Sequence, residues 1–363
     1  MKILHISSEA SWRGGEQQIA YLINESRAQG IDCHVITRSN SSFSLWCREN
    51  RIPFKELLFR GSLNLKAASA IKNYCSINKI DLVHIHSGKG HGLYALSTLL
   101  GLKTPAILSR RVDFPIASNP WAKWKYNLPL IKKIICVSDA IKRITENGVI
   151  EKSKLVTIYS GIDLERFKKI PDLDLHSEYG IEKSKTLIGN VAALAPHKDH
   201  STFLQTVKAA AMQDLNCHFL IVGEGKERIY IENQIEALDI SEYVTMTGFR
   251  NDIPALLKAL DVFMITSETE GLGTSVLDAF AANTPVLATA AGGIPEVVLH
   301  GRTGLQCDVK DHECLISELV RLISDVNLRT KLIEGASEHL KEFTKEQTAL
   351  KTIAIYKEAL DRY

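Results

Sequence analysis

The chain has 363 residues, is 45% hydrophobic and 24% charged, and carries a formal net charge of +2, which is long enough for two domains that each bury a core. That composition excludes a disordered or low-complexity protein, and no run of eighteen apolar residues offers a transmembrane helix. Charge is unevenly spread, with 23 Lys+Arg against 12 Asp+Glu over residues 1–163 and 21 against 30 over the rest, so the first half suits an anionic partner such as a phosphorylated substrate or a membrane surface, while no motif supports nucleic acid.

Met1 to Ser7 reads as a first strand rather than a secretory leader. Strand-length apolar runs follow at Ile3–Ile6, Cys33–Thr37, Leu82–Ile85, Ala106–Ser109, Ile134–Val137 and Leu155–Ile158, the pattern of a parallel sheet covered on both faces. Trp121, Trp124 and Leu128 share one helical face with Lys125 beside it, which fits either packing on the domain's own sheet or an interfacial anchor. After Asp163 the alternation restarts, with runs at Leu187–Val191, His218–Val222, Val244–Thr247, Val262–Ile265 and Pro285–Ala288, and strand alternating with helix predicts two doubly wound α/β domains. Residues 344–363 read as a helix. The seven cysteines are scattered, without a Cys-x-x-Cys pair or metal-ligand spacing, and predict reduced thiols in a cytoplasmic protein.

Glycines cluster after strands, at Gly14-Gly15, Gly223-Glu224-Gly225, Gly271 with Gly273, and Gly292-Gly293. Ligands in such sheets bind beyond the carboxyl ends of the strands, so these turns predict a site in a cleft between the domains. Residues 270–278, Glu-Gly-Leu-Gly-Thr-Ser-Val-Leu-Asp, place one carboxylate before a glycine turn and another about one turn into a helix. The helix start presents unpaired N–H groups to a phosphate, and carboxylates accept hydrogen bonds from sugar hydroxyls, so the segment suits a ligand with both groups. Two solvated carboxylates beside an ordinary loop are the plain alternative.

Taken in order, these pieces resemble the retaining, nucleotide-sugar-dependent glycosyltransferases of family four, also called group 1, over nearly the whole chain. The resemblance rests on Gly14-Gly15-Glu16, Asp81 to His86, Cys136-Val137-Ser138, Tyr159 to Asp163 with Phe167, Pro196-His197-Lys198, Val222 to Gly225, Thr247-Gly248-Phe249, Glu270 to Asp278, and Gly292 to Glu296. It implies the GT-B fold, two facing Rossmann-like domains with a cleft between them: 1–163 for the acceptor, 164–343 for the donor, and 344–363 as a helix crossing back to the first domain.

The resemblance further implies that Gly14 and Gly15 let backbone approach the donor, that Lys198 pairs with its diphosphate, and that Leu272, Gly273 and Thr274 offer backbone donors. Phe249 and Arg250 match the loop that touches the base, Glu270 the acid on the donor sugar, and Asp278 the acid on the ribose. His86, Arg110 and Asp113 are the expected acceptor contacts, and Arg111 stands where the family often carries a histidine. Lys198, Glu270 and Arg111 are the expected catalytic residues. Ala193 replaces an arginine that usually supports the diphosphate, Asp278 replaces a glutamate, and Ser160 stands where asparagine is common.

The implied reaction moves a sugar from a nucleotide-diphosphate-sugar, with UDP-sugars favoured, to a hydroxyl of a glycan or lipid-linked acceptor in cell-surface polysaccharide, lipopolysaccharide or glycolipid biosynthesis. No metal or other cofactor is expected, and the protein is placed in the cytoplasm, in peripheral contact with the inner face of an anionic membrane. A nucleotide-sugar epimerase or hydrolase and a non-catalytic nucleotide-sugar-binding protein are the competing readings.

Overall fold

The structure, a computed structural model, describes residues 1–59 and 64–361. It divides into two compact units, one built from residues 1–161 with the helix Lys345–Asp361, the other from residues 162–344.

The first unit has a parallel sheet of β1 (Lys2–Ile6), β2 (Asp32–Arg38), β3 (Phe54–Leu57), β4 (Leu82–Ile85), β5 (Ala106–Arg110), β6 (Ile131–Cys136) and β7 (Leu155–Thr157), in the order β3-β2-β1-β4-β5-β6-β7. The second has β8 (Thr186–Val191), β9 (Cys217–Val222), β10 (Val244–Gly248), β11 (Val262–Ile265), β12 (Val286–Thr289) and β13 (Leu305–Cys307), ordered β10-β9-β8-β11-β12-β13. β4, β5, β9, β11 and β12 are buried along their whole length. Such strands cannot carry solvated side chains on either face, which is why they read as continuous apolar runs.

Layers of helix close both faces. In the first unit one face buries Leu4, Ile6, Val83, Ile85 and Leu108 against Tyr94 and Ala95 of the helix Gly88–Leu99. The other buries Ile3, Val35 and Ile107 against Ile19 and Ile23 of the helix Gly14–Ala28 and against Ile353 and Tyr356 of the last helix. In the second unit Ile188, Phe219, Met264 and Leu287 pack with Phe203, Leu315 and Leu319.

β3 and β13 escaped the sequence reading. Both lie at sheet edges, where one neighbour and partial exposure remove the need for a continuous apolar run. Trp121 and Trp124, on the helix Pro120–Tyr126, are half-buried against the first unit's own core.

The expectation of reduced thiols is corrected at one place. Cys307, ending β13, and Cys314, in the first turn of the helix His312–Ser324, form a disulfide with Cα atoms 5.7 Å apart, while Cys33, Cys47, Cys75, Cys136 and Cys217 are free and buried. Closing a loop of seven residues removes chain entropy worth about 2 kcal/mol from the unfolded state. Cys314→Ala, or treatment with a dithiol reductant, should lower the unfolding midpoint of the second unit in denaturant by a matching amount. An unchanged midpoint would show that the bridge does not form in solution.

Candidate functional site

In each sheet the strand order reverses once, between β1 and β4 in the first unit and between β8 and β11 in the second. Connections leave in opposite directions there, so a crevice opens at the strand ends. The predicted residues of the second unit gather at its crevice. Pro196–Lys198 forms a single tight turn after β8, and Thr266 to Glu270 leaves β11 beside it. The Glu268 N–H donates to the His197 carbonyl at 2.9 Å, and the Thr266 hydroxyl donates to the carbonyls of Lys198 and Asp199 at 3.3 and 2.9 Å.

This stitching brings the Lys198 ammonium onto Oε1 of Glu270, and the Ser267 hydroxyl donates to the same oxygen at 2.9 Å. The side chains are only 16% and 11% exposed, so the two charges stabilise each other where solvent screening is weak. Gly292 fixes the backbone of Glu270: it sits at φ +54°, a Cβ there would lie 2.1 Å from the Glu270 carbonyl, and the Gly293 N–H donates to that carbonyl at 3.0 Å. Only a glycine fits this approach.

Beyond Glu270 the chain turns into the helix Thr274–Ala281. Its N-cap is Gly273 at φ +85°, without a side-chain cap, so the first N–H groups remain available to an anion. Leu272 turns its side chain into the core and contributes backbone alone.

Asp278 lies one turn in. Its Oδ1 is enclosed without a hydrogen-bond donor, and the nearest cation is Arg166 at 3.9 Å. Burial pushes its carboxyl up to about 6, against the pull of Arg166. Sequence reasoning assigned no role to Arg166, although the residue stands within the Asp163–Phe167 stretch of the motif.

The loop after β10 separates two residues that were paired in the sequence reading. Phe249 is 71% exposed and free to stack on a ligand ring. Arg250 donates to Asp252, Glu178 and the Tyr179 hydroxyl, which raise its pKa. Its guanidinium thus holds the loop that presents Phe249.

In the first unit, Gly14 and Gly15 begin the helix Gly14–Ala28, whose N-cap Arg13 makes no side-chain cap and whose Gly15 faces open space. Glu16 is buried just behind, accepting from the Ser7 hydroxyl at 3.0 Å, and burial raises its pKa. At the β1/β4 crevice three imidazoles converge. His86 Nε2 meets His5 Nδ1 at 3.0 Å, while His84 spans the Tyr356 hydroxyl at 2.5 Å and the Ser109 hydroxyl at 2.8 Å.

Burial lowers the pKa of all three, so they are neutral. One ring nitrogen from each lies within 4.8 Å of the others, a grouping that spacing along the chain did not reveal. Neutral imidazoles are metal ligands, but the Arg111 charge acts on His84 and His86 and opposes a cation.

Arg110, which ends β5, and Arg111, the first residue beyond it, go to opposite faces. Arg111 donates to Ser160 at 3.3 Å, its Nε has no partner, and burial lowers its pKa to about 10 with Glu16 as the nearest negative charge. Arg110 joins Tyr126 and Phe114 instead. The two cannot serve one anion together. Asp113 is half-buried on the following loop, and among the described residues no ion pair joins it to either arginine.

Comparison with known proteins gives two family matches, one described as "Glycosyltransferase Family 4" over residues 12–166 and one as "Glycosyl transferases group 1" over residues 172–339. The chain is 26% identical over 309 residues to the N-acetyl-alpha-D-glucosaminyl L-malate synthase of Bacillus anthracis, covering 82% of this chain and 80% of that protein. It is 25% identical over 293 residues to the UDP-Gal:alpha-D-GlcNAc-diphosphoundecaprenol alpha-1,3-galactosyltransferase of Escherichia coli, covering 75% and 76%. A crystal structure of Anabaena HepE in complex with UDP and glucose superposes with a TM-score of 0.83 at 19% identity, over 99% of each chain.

The raised pKa of Asp278 yields a prediction that needs no ligand. Between its unfolded value of 3.8 and about 6, the folded protein holds a proton that the unfolded chain has released. This residue's contribution to stability therefore declines as pH rises across that window. Urea unfolding between pH 4 and 7 should show that decline in the native chain and a flatter profile in Asp278→Asn. Identical profiles would mean that Asp278 titrates as an ordinary carboxyl.

Proposed function

Because the chain belongs to the family four, group 1 glycosyltransferases of the GT-B fold, we propose that it transfers a sugar, with retention of anomeric configuration, from a UDP-sugar to a hydroxyl of a glycan or lipid-linked acceptor. The observation that carries this reading is the corner of the second unit where Lys198 pairs with Glu270 on the loops after β8 and β11, and the chain then runs into the uncapped helix Thr274–Ala281, which carries the enclosed Oδ1 of Asp278. That set provides a cation and backbone donors for a diphosphate, a carboxylate for sugar hydroxyls, and an unsatisfied acceptor for a ribose hydroxyl.

During the transfer the bond between the anomeric carbon and the donor's phosphate oxygen breaks, and the acceptor oxygen bonds to the same face of the sugar. The acceptor proton passes to the leaving phosphate. Negative charge grows on the diphosphate and positive charge on the sugar ring. Lys198 and the N–H groups of Gly273 and Thr274 stabilise the first charge, and Glu270 aligns and stabilises the second. In this scheme no step is assigned to a metal, and acceptor recognition is assigned to the first unit's strand ends around His86, Arg110 and Arg111.

The reading also draws support from the relatives. HepE binds UDP and glucose, and the Escherichia coli relative uses UDP-Gal with a diphosphoundecaprenol-linked acceptor. That likeness supports a UDP donor, and a role in cell-surface glycan synthesis at the inner face of the membrane is part of the same proposal. Among the described residues no helix is long and apolar enough to cross a membrane.

The test is a thermal-shift and calorimetric screen of nucleoside diphosphates and nucleotide-sugars. A ligand that binds the folded state alone, at one hundred times its Kd, adds about 2.7 kcal/mol to stability. UDP should do so, and its affinity should fall as pH drops below about 6, because protonation takes the negative charge from the Asp278 acceptor and weakens it. Lys198→Ala and Glu270→Ala should each cut turnover by about 100-fold or more with the fold intact. Screening without any nucleotide-dependent stabilisation, or turnover retained within about twofold in Glu270→Ala, would reject the assignment.

A further inference from the structure

Arg110 is 3% exposed and keeps its positive charge at any physiological pH. Its Nη1 donates to the Tyr126 hydroxyl at 2.7 Å and its Nη2 to the Phe114 carbonyl, both neutral acceptors. The rings of Phe114 and Tyr126 each lie 5.6 Å from the guanidinium carbon.

Nε of Arg110 is buried with no partner. Lys125 places its ammonium 5.6 Å from the same Tyr126 ring, and its pKa is lowered by burial and by Arg110. Among the described residues no carboxylate forms an ion pair with either cation.

A third side chain completes the group. His91 is 1% exposed, meets the Lys125 carbonyl through Nε2 at 3.0 Å, and packs its ring 4.7 Å from Tyr126. Its Nδ1 is enclosed and unpartnered. A buried guanidinium with an orphaned Nε and a half-buried ammonium, without an acid, form an unbalanced arrangement, because removing charge from water is costly unless an opposite charge answers it. His91, kept neutral by burial that lowers its pKa to about 3, gives its Nε2 proton to the Lys125 carbonyl and only walls the group.

In the second unit the corresponding cations are answered, Lys198 by Glu270 and Arg250 by Asp252 and Glu178. We propose that Arg110 and Lys125 form a receptor for a phosphate group, with Phe114, 60% exposed, as its apolar cover. A phosphate brings up to two negative charges and several acceptor oxygens, which matches the two cations and the unfilled Nε–H of Arg110. Calling the bearer of that phosphate the acceptor substrate rests on the glycosyltransferase reading; the receptor itself does not.

Calorimetric titration of the full chain with inorganic phosphate and with pyrophosphate tests the receptor. Lys198→Ala is used as the background, so that the second unit's phosphate site is weakened. Arg110→Met should lower phosphate affinity by about tenfold, as expected for a lost charge-assisted hydrogen bond, and Lys125→Gln should lower it by a smaller factor.

Equal affinity in parent and both variants overturns the proposal. If Arg110→Met does not fold, Lys125→Gln, at a half-exposed position, decides alone. UDP titration of the chain with Lys198 intact runs in parallel, and its failure defeats the donor reading while leaving the phosphate result standing. Cosedimentation with vesicles containing phosphatidic acid identifies the source. Binding lost in Arg110→Met assigns a lipid-borne phosphate, and phosphate affinity without vesicle binding assigns a soluble phosphorylated acceptor.

Discussion

A parallel sheet covered by helices on both faces has no place along its strands for a solvated polar group, so the chemistry of this protein is confined to the loops at the strands' carboxyl ends. Where the strand order reverses, those loops part and leave room for a ligand. In the second unit the loops after β8 and β11 meet at that point and bind each other through the carbonyls of His197, Lys198 and Asp199. Those contacts set Lys198 beside Glu270, whose backbone is pinned by the Gly292 turn.

The two units handle charge differently. In the second, Lys198 and Glu270 neutralise each other, and the unbalanced feature is an acceptor, the enclosed oxygen of Asp278. In the first, the unbalanced features are cations, Arg110 and Arg111, each with a buried and unpartnered Nε. An enclosed carboxylate oxygen is suited to hydroxyl donors, and an enclosed guanidinium to anions. The excess of Lys and Arg in residues 1–163 thus includes charge held inside the first unit.

Legibility in the sequence followed the physics of burial. Strands buried on both faces were visible as apolar runs, whereas the edge strands β3 and β13 were not, because edges tolerate exposure. The glycine turns were legible for a similar reason, since the φ values at Gly273 and Gly292 suit glycine. Arg250 shows the limit. Its place in a motif suggested a base contact, but Glu178, which occupies it together with Asp252, lies 72 positions away, and no local pattern reports such a partner. The Cys307–Cys314 bridge was missed because its two halves meet only when β13 and the following helix turn against each other.

By itself, then, the amino-acid order determined the alternation of strand and helix, the glycine-bearing turns and the residue types available at each strand end, because periodicity, backbone freedom and side-chain chemistry are local properties. Only the tertiary structure decided which charges are answered: that Lys198 meets Glu270, that Arg110 and Arg111 part to opposite faces, and that His5, His84 and His86 share one crevice. Pairing in a low-dielectric interior depends on distances between residues far apart in the chain, and those distances exist only once the sheets have formed.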